Sequence, residues 1–138
     1  MGTKGSVVFR YRGIYYIFYN SHDSYFSYLG NKVVTEIKEI IVADNLQYLK
    51  DLLLKIPLTE KPTETESIFH SIIENITYYE CFCYRTSNVE QQCGLFEEYV
   101  YTVDLDKNVF IVNSHTGPTV FKLDVNIPDD LGTYDVND

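Results

Sequence analysis

Residues 6–20 read SVVFRYRGIYYIFYN, and this stretch decides the fold. β-branched and aromatic residues fill both halves of the stretch, and such residues favour strands. Gly13 separates the halves, and because glycine accepts positive φ angles, Arg12 and Gly13 are predicted to form a tight turn. The second half is apolar or aromatic on both faces, which is typical of a strand inside a sheet. The stretch therefore predicts a β-hairpin whose second strand lies in the sheet interior.

Helical patterns follow the hairpin. Apolar residues recur at helical spacing in residues 29–42, which predicts one amphipathic helix. A second apolar stripe predicts a helix over residues 45–55, with Asp44 as its N-cap. The spacing of threonine and glutamate at residues 63–66 matches a capping box and predicts a third helix over residues 64–75.

The rest of the chain has the short alternating runs of strands, at residues 78–84, 98–104, 109–113 and 119–123. A hairpin, about three helices and about four further strands are typical of an α+β fold. We expect one domain over residues 1–138. In it, the N-terminal hairpin and a C-terminal meander form an antiparallel sheet that carries the helices on one face.

The charge is acidic and unevenly distributed. The chain has 11 Lys and Arg against 20 Asp and Glu, which gives a formal charge of −9. Residues 1–40 hold five cationic and three acidic side chains, a net of +2, so the remainder carries −11. Five aspartates and no base follow Lys122, which predicts a solvated, flexible acidic tail over residues 124–138. Because a net anion repels phosphate backbones, general nucleic-acid binding is not expected.

The cysteine count and the lack of long apolar runs indicate an intracellular, cytoplasmic protein. Cys81, Cys83 and Cys93 form an odd set, whereas small secreted proteins more often carry an even one. The sequence shows no apolar core of a signal peptide and no run of about 20 apolar residues, so no membrane span is expected. The cysteines are predicted to be free thiols, and no metal site is expected.

The densest group of unusual residues lies between residues 9 and 28, which hold nine of the 21 aromatic residues. Tyrosine and arginine anchor many protein interfaces. This region is therefore a candidate surface for a protein partner or for self-association, including a homodimer built on the aromatic hairpin. The alternative is that the rings form the core. The candidate binding residues are Arg10, Arg12, His22, Asp23, Ser24 and Tyr25.

Catalytic patterns are weak. His22, Asp23 and Ser24 are residue types of a hydrolytic triad, but three consecutive side chains diverge rather than form a hydrogen-bonded chain. Residues 104–106 (DLD) lack the later ligands of an EF-hand, and residues 106–108 (DKN) predict a hairpin turn instead. We expect no catalytic residue and no cofactor. The expected function is a non-enzymatic binding or structural module, and the alternative is a small hydrolase with a Ser or Cys nucleophile.

Two parts of the sequence carry a family resemblance. Residues 8–20 (VFRYRGIYYIFYN), 23–25 (DSY) and 29–30 (LG) form the first, and residues 98–106 (EYVYTVDLD) form the second. The chain resembles an uncharacterised family of short proteins from fungi, phages and large DNA viruses, including marseillevirus-like giant viruses. The resemblance implies a whole family domain of unknown activity and a viral protein that is packaged in the virion. Family members often have proline after the DSY motif, where this chain has Phe26.

Overall fold

The computed structural model of the chain describes residues 4–20, 24–56, 63–64, 81–86 and 98–132. These residues form an α+β fold in which two α-helices pack on a mixed β-sheet. The helices are α1 (Asn31–Val42) and α2 (Leu46–Leu54), with a π-helical turn (Phe26–Gly30) directly before α1. The strands are β1 (Gly5–Tyr11), β2 (Ile14–Asn20), β3 (Thr63–Glu64), β4 (Cys81–Thr86), β5 (Tyr99–Asp104), β6 (Val109–Ser114) and β7 (Gly117–Lys122).

The seven strands lie in the order β3-β4-β2-β1-β5-β6-β7. Neighbouring strands are antiparallel except for β1 and β5, which run parallel with Arg10 opposite Asp104. The prediction of an antiparallel sheet is therefore wrong for this central pair. The β1–β2 hairpin and the β5–β6–β7 meander are each local units, and residue alternation within strands does not encode the direction in which two such units join.

The N-terminal hairpin occupies the centre of the sheet, as predicted. Arg12 and Gly13 have φ angles of 56° and 74°, the positive values of a type I′ turn. β2 pairs with β4 on its far side and β1 pairs with β5, so the hairpin has no free edge for a second copy. Phe9, Tyr16 and Phe18 are fully buried. The aromatic rings of these three residues therefore form core, not a dimer surface.

The main core lies between the sheet and both helices. Phe9 and Phe18 meet edge to face in it, with ring centroids 5.7 Å apart, which is a favourable aromatic geometry. The opposite face of the sheet buries Val8, Ile17 and Val100. The centre of the sheet is thus buried on both faces. The helices contribute buried apolar residues to the main core, namely Val33, Val34 and Ile37 from α1 and Leu49 and Leu53 from α2.

The structure supports two of the three predicted helices. α2 agrees with its prediction, and α1 begins later than predicted because the π-helical turn occupies residues 26–30. Thr63 and Glu64, at the predicted start of the third helix, instead form β3 along the edge of β4. Pairing with that sheet edge overrides the local capping pattern. The rest of the predicted helix, residues 65–75, lies outside the described residues.

Asp44 ends α1 and does not cap α2. Its φ angle is 56°, in the left-handed region. The backbone N–H of Asp44 donates to the carbonyl of Ile41 at 3.1 Å, and that of Asn45 donates to the carbonyl of Ile40 at 2.9 Å. These two bonds are the Schellman motif of a helix C-terminus. Asn45 is the N-cap of α2, and its side chain makes no capping hydrogen bond.

Part of the predicted acidic tail is docked on α1. Ile127 is buried, and its carbonyl accepts a hydrogen bond of 2.7 Å from Lys38 Nζ. The N–H of Leu131, which is also buried, donates to the side-chain oxygen of Asn31 at 2.7 Å. Residues 124–132 are thus held on α1 by buried apolar side chains and by hydrogen bonds, including those that Lys38 donates to Asp129 and Asn31 donates to Asp130.

The two α-helices are short, with 12 residues in α1 and nine in α2. A helix that crosses a bilayer needs about 20 mainly apolar residues. Within the described ranges, the chain has no helix that is long and apolar enough to span a membrane.

We expect Asp44→Gly to raise the free energy of unfolding by about 0.5–1 kcal/mol, because glycine adopts the left-handed conformation without the steric cost of a Cβ. Asp44→Ala is the matched control. It keeps the Cβ and loses the polar group that tolerates this conformation, so it should be less stable than the wild type. Urea denaturation measures both. A glycine variant no more stable than the alanine variant would contradict the left-handed geometry.

Candidate functional site

The carboxyl ends of β1 and β5 lie side by side because the two strands are parallel. Arg10 Nη1 donates to Asp104 Oδ2 at 3.3 Å, and Arg10 Nε lies 3.8 Å from Asp106 Oδ2. The Asp104 side chain is only 5% exposed, so its charge requires a partner. The hydrogen bond to Asp104 raises the pKa of Arg10 above its ordinary value. The result is a fixed ion pair across the central strands.

Asp104 also shapes the turn between β5 and β6. Its Oδ1 accepts hydrogen bonds of 3.0 Å from the backbone N–H groups of Asp106 and Lys107. Such side-chain-to-backbone bonds stabilise turns. Asn108 has a φ angle of 57° and completes the turn before β6. The predicted hairpin turn at these residues is confirmed.

Asp106 joins this turn to the β1–β2 turn. Its carboxylate accepts hydrogen bonds from the backbone N–H groups of Arg12 at 2.8 Å and Gly13 at 2.9 Å. Burial alone would raise the pKa of Asp106, but these hydrogen bonds and the charges of Arg10 and Lys50 hold the pKa below its usual range. Both oxygens of this carboxylate are thus engaged within the protein.

Two cations beside this junction, Arg12 and Lys50, form no ion pair with any residue that the structure describes. The Arg12 guanidinium lies 5.3 Å from the centroid of the Tyr11 ring, and Lys50 Nζ, from α2, lies 5.6 Å from the same centroid. Both contacts are cation–π interactions. The ion pairs of the described residues involve Arg10 and Lys38, and neither Arg12 nor Lys50 takes part in one. We call Tyr11, Arg12, Lys50 and Asp106 the turn surface.

The structure does not gather the predicted binding residues into one surface. Arg10 and Arg12 lie at the carboxyl end of β1. Ser24 packs against Gly5, at the amino end of the same strand. Five residues of extended strand separate the two ends by about 17 Å. The two arginines therefore belong to a different part of the molecule from Ser24.

The other predicted residues lie near Ser24 in the chain. Ser24 is fully buried, so a substrate in solvent cannot reach its hydroxyl. Its backbone carbonyl accepts a hydrogen bond of 2.5 Å from the hydroxyl of Tyr101. Tyr25 is 36% exposed. His22 and Asp23 lie outside the described residues.

The sequence does not predict Lys50 as a site residue, and it predicts Asp104 only as the end of a strand and Asp106 only as a turn residue. The available signal was the pair of aspartates on either side of Leu105, directly after a strand. Their contact with Arg10 spans 94 positions in sequence and depends on the parallel pairing of β1 with β5. No local pattern in the sequence indicates that pairing.

Over the ranges that the structure describes, no three His, Cys, Asp or Glu side chains are grouped as a metal ion would require. Cys81 and Cys83 are residues of β4, and Cys93 lies outside those ranges.

We expect Gly5→Ala to lower the free energy of unfolding by about 1–3 kcal/mol, because a Cβ at this position overlaps the side chain of Ser24 and lies 2.9 Å from the Tyr99 carbonyl. Ser24→Gly removes the overlapping side chain. The double variant should therefore lose less than the two single losses combined. Denaturant unfolding of the four proteins measures this coupling. Strictly additive losses would show that the two residues do not touch.

We expect Asp106→Asn to lower the free energy of unfolding at neutral pH by about 1–2 kcal/mol, because the two turn N–H groups lose a charged acceptor. The folded-state pKa of Asp106 is lowered, so its contribution is present above the unfolded pKa and is lost as the pH falls through the folded pKa.

The difference in stability between the wild type and Asp106→Asn should therefore shrink towards about pH 2. Denaturant unfolding across a pH series measures it. Asp51→Asn is the control, because Asp51 is an exposed aspartate on α2, and it should change stability much less. A difference that stays constant from neutral to acid pH would rule out the carboxylate as the source of the stabilisation.

Known proteins add no further information. Comparison of the chain with models of protein families, with curated protein sequences and with solved structures found no match. The resemblance to an uncharacterised viral and fungal family stays a prediction.

Proposed function

We propose that the chain is a non-enzymatic binding module that recognises an anionic group of a partner through the turn surface. One observation carries the proposal. Arg12 and Lys50 hold their charges over the same Tyr11 ring, and no carboxylate of the described residues is paired with either. In a chain with a formal charge of −9, the Arg12 guanidinium at the exposed turn and the half-buried Lys50 on α2 form a local site of attraction for an anion, and the charge of Lys50 also acts on Asp106.

The backbone conformation of Arg12 supports the proposal. Its φ angle of 56° lies in the left-handed region, where residues other than glycine, asparagine and aspartate are uncommon. Type I′ turns favour asparagine or aspartate at this position, followed by glycine. Arginine here costs about 1 kcal/mol, and it places a guanidinium at the tip of the hairpin. Residues held in unfavourable conformations are enriched at functional sites.

Two further observations favour binding over catalysis. The carboxylates of Asp104 and Asp106 are engaged by Arg10 and by backbone N–H groups, so neither has a free oxygen to act as a general base. Ser24, the serine of the hydrolase alternative, is fully buried. The turn surface offers positive charge and aromatic surface, and these suit recognition.

The location of the module is proposed from the family resemblance. We propose an intracellular protein of a giant virus that is packaged in the virion. The intracellular location is consistent with the reduced thiols expected from the cysteine count. Mass spectrometry of purified virions would detect the protein if it is packaged.

Arg12→Asn separates a binding role from a structural one. Asparagine suits the left-handed position, so this variant should be as stable as the wild type or up to about 1 kcal/mol more stable. Because it removes the guanidinium, it should weaken the binding of anions at least about threefold. Backbone amide chemical shifts of residues 11–14 report binding during titration with inorganic phosphate, citrate or a capped glutamate-rich peptide.

Lys55→Gln is the control for charge, since Lys55 is an exposed lysine just after α2, away from the Tyr11 ring. It should bind like the wild type. The proposal fails if none of the three probes shifts the signals of residues 11–14, or if Arg12→Asn binds as tightly as the wild type. Ester hydrolysis by the wild type that disappears in Ser24→Ala would favour the hydrolase alternative.

A further inference from the structure

We infer that the turn surface binds an acidic peptide segment of a partner protein, in which carboxylates alternate with apolar side chains. This inference rests on the proposed function and names its ligand. Three observations support it. The carboxylates at this end of the sheet already have partners, and the β1–β2 turn already binds one carboxylate. Apolar side chains also lie beside Arg12 and Lys50.

The carboxylates at this end of the sheet are already in use. Asp104 Oδ2 accepts a hydrogen bond from Arg10, and its Oδ1 accepts two backbone N–H groups. Asp106 accepts the N–H groups of Arg12 and Gly13. Among the described residues, neither acid forms an ion pair with the Arg12 guanidinium or with Lys50, and the charge of Lys50 acts on Asp106 from beyond ion-pair distance. An external carboxylate therefore meets two cations without having to displace an internal partner.

The β1–β2 turn already binds one carboxylate, which shows the chemistry that it accepts. The two N–H groups at Arg12 and Gly13 hold the Asp106 oxygens at 2.8 and 2.9 Å. The Arg12 side chain extends from the same turn, and its planar guanidinium matches a second carboxylate with two parallel hydrogen bonds. The Lys50 ammonium group, which lies 5.6 Å from the centroid of the Tyr11 ring, supplies a second positive charge for a further carboxylate.

Apolar side chains adjoin the two cations. Ile14 stands opposite Tyr11 in the hairpin, and both side chains are only partly buried. Leu54 is 37% exposed and lies one helical turn from Lys50 on α2. An apolar side chain between two carboxylates would lie on this surface, as in the mixed apolar and charged contacts of protein interfaces.

A nucleic acid fits this surface less well than an acidic peptide. Phosphates repeat along every nucleotide, so binding needs an extended stripe of cations. Of the cations in the described ranges, Arg12 and Lys50 contact the Tyr11 ring, and the carboxylates of Asp104 and Asp106 lie at the same end of the sheet. Continuous phosphates would be repelled by these acids, whereas the separate carboxylates of a peptide can face the cations alone.

The test is a titration of isotopically labelled full-length protein with a capped peptide of about eight residues in which glutamate alternates with leucine. The same peptide with glutamine in place of glutamate is the matched probe. We expect the glutamate peptide to shift the amide signals of residues 11–14 and of Lys50, and the glutamine peptide to leave them in place. Raising the salt from about 50 to 500 mM should weaken binding about tenfold or more.

The variant Arg12→Asn/Lys50→Gln should lose at least about tenfold in affinity for the glutamate peptide, the change that 1.4 kcal/mol of binding free energy represents. Lys55→Gln should keep the affinity of the wild type. A thermal unfolding transition at or above that of the wild type in the double variant shows that the loss is not caused by misfolding.

Other occupants give distinct outcomes. Inorganic phosphate or a thymidine oligonucleotide that binds residues 11–14 more tightly than the glutamate peptide would overturn the peptide inference and leave the proposed binding function in place. Salt-sensitive dimerisation of the wild type in sedimentation, abolished in the double variant, would make a second copy the occupant and also overturn the inference. If no anion shifts these residues, the inference and the proposed function both fail.

Discussion

The parallel pairing of β1 with β5 is the constraint on which the rest of the structure depends. It places the carboxyl ends of two strands from distant parts of the chain side by side. Arg10 and Asp104 then face each other across the pair, and Asp106 reaches the β1–β2 turn. An isolated ion pair at a surface contributes little, but here Asp104 and Asp106 each accept two backbone N–H groups, so together they fix two turns against each other.

This arrangement also determines which charged side chains of the described residues form ion pairs. Asp104 and Asp106 are bound by Arg10 and by backbone N–H groups, and among the described residues neither forms an ion pair with Arg12 or Lys50. The formal charge of −9 belongs to the whole chain and does not describe the local charge at this end of the molecule. Two cations contact one tyrosine ring within an acidic protein, and we propose that this small site binds a ligand with separate charges rather than a polyanion.

Local signals predicted a large part of the fold. The Arg12-Gly13 turn, the interior position of β2 and the apolar stripes of α1 and α2 are all properties of short stretches, and the structure agrees with each. Asp44 was assigned to the wrong helix end, because a single aspartate suits both an N-cap and a left-handed C-terminal position. At residues 63–64, contact with β4 prevailed over a capping pattern, and no local pattern contains that contact.

The candidate site was less predictable, because it depends on contacts between distant residues. Arg10 and Arg12 were named from the sequence, but their partners lie more than 90 positions away. Ser24 was grouped with them because it is near in sequence, whereas β1 carries the two arginines away from it. An alternating strand pattern tells which residues share a face, and it does not tell which strand lies alongside.

The most direct test of the central contact is an NMR titration of the backbone amide protons of Arg12 and Gly13 as the pH is lowered. We predict that both signals move together towards less hydrogen-bonded shifts, with one midpoint below the ordinary aspartate pKa of about 3.9, because both N–H groups bond to Asp106. Signals that do not titrate, or that titrate with different midpoints, would contradict a shared carboxylate acceptor that joins the two turns.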